Sequence, residues 1–78
     1  MDIQMGERLI KFGLNVAYYR KLKNINQETL AEKAKLSRSQ ISNIEAANVF
    51  ANPTLLSIFN ISEALEIPAS KLLELRDE

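Results

Sequence analysis

The chain has 78 residues, ten Lys/Arg against ten Asp/Glu, 46% hydrophobic residues, and neither Cys nor His. That is enough chain for one domain with a modest core, and it excludes disulfides, the common zinc sites and His- or Cys-based catalysis, so no metal or cofactor is expected. No apolar run approaches the ~20 residues needed to cross a bilayer; Met1–Gly6 is polar and no Ala-x-Ala site follows an apolar stretch, so no signal peptide is read and a cytoplasmic location is expected.

Five helices are expected in chain order. The first runs from about Gly6 to Lys23, where Leu9, Phe12, Val16 and Tyr19 recur at helical spacing. Asn24 suits its end, because Asn tolerates the left-handed conformation. Asn26 caps a second helix over Gln27–Ala34. Ser37 caps a third over Arg38–Ala46, and Ser37-Arg38-Ser39-Gln40 fits the S-x-x-Q capping box. Asn52-Pro53 restarts the chain, with Pro at the first helical position of a fourth helix whose buried face is Leu55, Ile58, Ile61 and Leu65. Pro68 breaks that pattern, and a short fifth helix begins near Ala69 and carries Leu72 and Leu73. Nothing alternates with period two, so no strand is expected. The fold class is therefore all-α, a compact five-helix bundle forming a single domain over residues 1–78, with residues 1–11 extending the first helix.

Helices two and three read as a helix-turn-helix. Two helices crossing at about 90–120° approach closely, and Ala31 supplies the small residue for it. Leu30, Ala34 and Leu36 lead into the turn, and Ile41 and Ile44 share one face of the third helix. What points outward is short and polar: Ser39, Ser42 and Asn43, with Arg38 near the helix start. Arg bonds bidentately to guanine, Asn to adenine, and Ser to either, so these four are the candidate base-contacting residues. The plainer reading of that face is a solvated helix surface. Net charge is zero, but residues 1–40 carry a balance of +4 and residues 41–78 one of −4, so a basic end is available to phosphates.

The stretches FGLNVAYYR, INQETLAEKAKLSRSQISNIE and NPTLLSIFNISEALEIPASKLL, in that order and spacing, resemble the phage-repressor-like (Cro/CI or Xre type) helix-turn-helix domains, over roughly Phe12–Leu73. The resemblance implies a lambda-repressor-like fold, a third helix that enters the major groove, and a transcription regulator, most often a repressor. It implies a phosphate contact by Gln27, and an ion pair of Arg20 with Glu45 that is structural. Lys35, Ser37 and Gln40 complete the expected phosphate contacts. Asn24, Lys35 and Glu66 stand where the family favours Gly. A non-Gly residue at positive φ costs about 1 kcal/mol, so Lys35 is either mildly strained or retained because its ammonium lies near a phosphate. The family's basic loop after Glu45 reads Ala46-Ala47-Asn48 here, followed by apolar Val49 and Phe50.

One recognition helix covers only a few base pairs, so a homodimer on a palindromic double-stranded operator is expected, with two helices about 34 Å apart. The candidate dimer interface is Val49, Phe50, Leu72, Leu73 and Leu75. Tyr18 and Tyr19 are read as packing residues. No small-molecule effector site is evident. An enzyme is not expected: Ser37 with Lys33 or Lys35 has no oxyanion-hole signal around it. The alternative is a protein-interaction module on the same fold, an antitoxin-like partner or an adaptor, docking through Val49-Phe50.

Overall fold

A computed structural model describes residues 2–46 and 51–75. Within them the chain forms α1 (Ile3–Leu22), α2 (Gln27–Ala34), α3 (Arg38–Glu45), α4 (Leu55–Leu65) and α5 (Ala69–Leu72). No strand occurs among the described residues. α1 packs on α3, α2 packs between α3 and α4, and α5 bridges α1 and α4. No helix among the described residues is long and apolar enough to cross a membrane.

The helix starts follow local capping chemistry. Asp2 accepts from the Met5 amide at 2.7 Å, which starts α1 three residues before the expected Gly6. Asn26 accepts from the Thr29 amide at 2.8 Å. Ser37 and Gln40 exchange backbone and side-chain bonds of 3.1 and 2.8 Å, a complete capping box. α4 departs from expectation: its cap is Thr54, whose Oγ1 accepts from the Ser57 amide at 3.1 Å, and Pro53 lies outside the helix. A side-chain acceptor satisfies an orphan amide that Pro can only omit.

Three helices end in the same way. Asn24, Lys35 and Glu66 have φ of 59°, 58° and 58°. In each case the amide of the left-handed residue bonds back three positions, and the next amide bonds back five: Asn24 to Lys21 and Ile25 to Arg20, Lys35 to Glu32 and Leu36 to Ala31, Glu66 to Glu63 and Ile67 to Ser62. This is the Schellman motif. The residue that follows each left-handed position, Ile25, Leu36 or Ile67, packs against the core. That apolar anchor is what holds a side-chain-bearing residue in a conformation glycine would adopt without strain.

The core is Phe12, Val16, Leu30, Ala31, Ala34, Ile41, Ile44, Ile61, Leu65 and Leu72. Two expectations are corrected here. Leu55 is 63% exposed, because Ile58, Ile61 and Leu65 already fill the inward stripe of α4 and its first turn overhangs the core edge. Leu72 is fully buried while Leu73 is half exposed, so Leu72 closes the core and leaves the set of residues available to a partner. Val49 and Phe50 lie outside the described residues.

Relieving left-handed strain should stabilise the chain. Lys35→Gly and Glu66→Gly are each expected to add about 0.5–1 kcal/mol, and Asn24→Gly less, since Asn tolerates this region. At ~4–8 °C per kcal/mol for a domain of this size, differential scanning calorimetry should show melting temperatures several degrees higher for the first two.

Candidate nucleic-acid interface

α3 exposes Arg38, Ser39, Gln40, Ser42 and Asn43, and buries Ile41 and Ile44. Arg38, Ser39, Ser42 and Asn43 fall at i, i+1, i+4 and i+5, one continuous outward face. Their side chains are short apart from Arg38, so the helix backbone can come close to a flat surface. Gln40 and Asn43 also edge a shallow cleft toward α4, with Asn52, Thr54 and Ser57 on its far side. Gln40 Oε1 is engaged by the Ser37 amide, which turns the Gln40 Nε2 donors outward. Ser37 and Lys35 are exposed at the turn before α3.

Two contacts set the attitude of α3. The first is Gly13 on α1. A Cβ built there would lie 1.8 Å from the carbonyl oxygen of Ile44, so α1 and α3 meet backbone to backbone. Sequence reasoning passed over Gly13, although the signal was present: glycine inside a helix costs about 1 kcal/mol against alanine, and its presence between Phe12 and Val16 marks a close approach.

The second is an ion pair. Arg20 Nε donates to Glu45 Oε2 at 2.7 Å and Arg20 Nη2 to Glu45 Oε1 at 3.0 Å, a bidentate fork with side chains only 12% and 6% exposed. Arg20 Nη1 donates to the Ile25 carbonyl at 2.9 Å, and Gln27 Nε2 donates to Glu45 Oε1 at 3.0 Å. The cluster joins the end of α1, the start of α2 and the end of α3. A carboxylate at a helix C-terminus faces the negative end of the helix dipole, and these three side-chain donor bonds compensate it. The amide of Gln27 is thus partly committed inside the protein. A phosphate contact from Gln27 would use its second Nε2 hydrogen or the free backbone amide at the start of α2.

Of the other expected site residues, Leu73 and Leu75 are about half exposed. They line an apolar groove with Arg8, Leu9, Phe12, Asn52, Pro53 and Ile58. Sequence reasoning missed its neighbours: Leu55, Leu56 and Phe59 are 63%, 69% and 52% exposed on α4. Leu55 stands three residues before Ile58, the α4 residue of the groove, and four before Phe59. Tyr18 and Tyr19 stack edge to face at 5.0 Å, with Tyr19 against the core. Among the described residues no group of three or more acidic side chains is placed to hold a metal ion.

Comparison with known proteins agrees with this geometry. The sequence model described as "Helix-turn-helix" matches residues 16–72. The HTH-type transcriptional regulator SinR of Bacillus licheniformis is 35% identical over 66 residues, which are 85% of this chain and 59% of that protein, so the chain spans about three fifths of that relative's length. The restriction-modification controller protein C.AhdI of Aeromonas hydrophila superposes with a TM-score of 0.76 at 34% identity, covering 82% of this chain and 94% of that one. The hypothetical transcription factor NHTF from Neisseria superposes with a TM-score of 0.76 at 28% identity, covering 90% and 75%.

Gly13→Ala should destabilise the chain by about 1–3 kcal/mol, the range for overpacking, despite alanine's better helix propensity. Urea unfolding measures it, and an unchanged midpoint would mean the two backbones do not touch. Glu45→Ala strands the Arg20 guanidinium and should cost about 3 kcal/mol or more. The apolar double replacement Arg20→Met, Glu45→Leu should cost less than Glu45→Ala alone. Thermal melts of these two variants against the unsubstituted chain check that order.

Proposed function

The chain belongs to the helix-turn-helix family whose model spans residues 16–72, and from that premise we propose that it is a sequence-specific DNA-binding regulator of transcription, a repressor, which reads a palindromic operator as a homodimer. It is a non-enzymatic member of that family. The observation that carries the reading is the exposed polar face Arg38, Ser39, Ser42 and Asn43 on a helix anchored from behind by Gly13 and the Arg20–Glu45–Gln27 cluster. A helix that reads base edges must hold its angle, because a bidentate contact tolerates little rotation.

In this reading α3 lies in the major groove. Arg38 suits guanine and Asn43 adenine, and Ser39 and Ser42 supply hydroxyls able to donate or accept. Lys35, Ser37, Gln40 and the start of α2 with Gln27 meet the phosphates on either side. A lysine ammonium at Lys35 offers a reason for tolerating φ of 58° there, since phosphate contacts dominate affinity. The relatives' names speak for regulation: SinR is called a transcriptional regulator and C.AhdI a controller protein.

A second copy would dock on the apolar groove lined by Leu73 and Leu75 with Leu9, Pro53 and Ile58. Acids dominate the chain after Ala46, which suits a surface turned away from phosphate. A two-fold dimer needs one self-complementary patch of this kind.

Selection from a random duplex library identifies the site, and fluorescence anisotropy on it gives the test. Asn43→Ala and Ser39→Ala should each weaken the selected site by about 1–3 kcal/mol with the fold intact. Lys35→Gly should weaken all sequences alike and flatten the salt dependence, while raising the melting temperature. Leu73→Glu with Leu75→Glu should give a folded monomer of low operator affinity by light scattering. A chain that selects no duplex, and whose binding shows no salt dependence, is the protein-interaction module instead.

A further inference from the structure

Asn15 is buried on α1, 7% exposed, and its side chain reaches across 57 and 59 positions of sequence. Its Nδ2 donates to the carbonyl of Leu72 at 3.0 Å and to that of Glu74 at 2.8 Å. The first carbonyl ends α5, a helix of four residues whose N-cap, Pro68, makes no side-chain cap bond, and the second lies two residues beyond it. One turn of helix has no stability of its own. An apolar residue in place of Asn15 would fill the space without the desolvation that burying an amide entails, and would forfeit both Nδ2 bonds to these carbonyls.

Their effect is to set the direction of the chain after α5. With the carbonyls of Leu72 and Glu74 turned toward α1, Leu72 is fully buried and Leu73 and Leu75 stand 51% and 48% exposed. Both leucines line the apolar groove with Leu9, Pro53 and Ile58.

We propose that Asn15 is a positioning residue for self-association: it fixes Leu73 and Leu75 as a rigid apolar pair for a second copy of this chain. The proposal rests on the dimer reading above and adds to it the residue that forms the surface. It also links that surface to the DNA-reading helix. Gly13, two residues earlier on α1, sets the approach of α3 through the Ile44 carbonyl. Less than one turn of α1 therefore carries the contact that fixes the dimer surface and one of the two that set α3, and so bears on the separation of the two recognition helices.

Asn15→Asp removes the donor amide at constant size, and Asn15→Ser keeps a single donor without charge. Each is compared with wild type as separate chains and as two copies joined by a flexible linker, by thermal melting, sedimentation equilibrium and operator anisotropy. The expected result is a folded variant whose dimer dissociation constant rises about tenfold or more, with operator affinity lost in proportion. Tethering supplies an effective concentration on the order of millimolar, so the tethered variant should return to within roughly threefold of the tethered wild type. A folded variant that dimerises like wild type overturns the proposal. So does a tethered variant that stays weak, because the damage then lies in α3. If Asn15→Asp does not fold, Asn15→Ser decides; if neither folds, Asn15 is a core residue only and the proposal fails. A wild-type chain that stays monomeric at millimolar concentration defeats the dimer reading itself, a result visible without any variant.

Discussion

The carboxylate of Glu45 is the constraint around which the structure is arranged. It sits at the C-terminal end of α3, where the helix dipole disfavours it, and its side chain is 6% exposed. It is tolerable there only with full compensation, and that comes from the Arg20 fork and the Gln27 amide. Each donor stands on a different helix from Glu45, so compensating the charge fixes three helix ends together. Gly13 adds a steric stop, since α3 cannot approach α1 more closely than backbone contact. An attraction at one end of α3 and a contact one residue earlier, at Ile44, leave little freedom for rotation. A buried pair of this kind is weak evidence for net stability; its value here is geometric.

α1 is the frame for the rest. Gly13 and Arg20 face α3, Phe12 and Val16 enter the core, and Asn15 holds the end of α5. The three Schellman stops return the chain sharply after α1, α2 and α4, each pinned by an apolar residue inserted toward the core. Tight reversals allow short helices to pack at steep angles, and the polar face of α3 stays free as a consequence. The buried polar side chains among the described residues all have partners, so no buried side chain of this frame is left for another conformation to satisfy.

Much of the fold was legible because it is written locally. Asn26, Ser37 and Gln40 are capping residues three positions from the amides they serve, and the bounds of α2 follow from them. Thr54 was missed because Pro53 offered a competing start signal one residue earlier, and Leu55 was placed inside because periodicity alone does not show where the core ends. The site was legible only in part. The outward face of α3 follows from the buried positions Ile41 and Ile44. The meeting of Arg20 with Glu45, 25 residues apart, came from resemblance to a family and not from spacing. Asn15 had no local signature for its Nδ2 bonds, because the acceptors are backbone carbonyls 57 and 59 residues away. Long-range polar contacts to backbone leave no trace in the identity of the partner residue.

The most direct measurement of the central claim is a map of amide chemical shifts in the isotope-labelled chain on titration with a selected duplex. A rigid α3 that reads DNA predicts the largest changes at Arg38, Ser39, Ser42 and Asn43 and at the start of α2, with the amides of Gly13 and Arg20 nearly still. Changes confined to Leu55–Phe59 and Leu73–Leu75, with α3 unmoved, would contradict it.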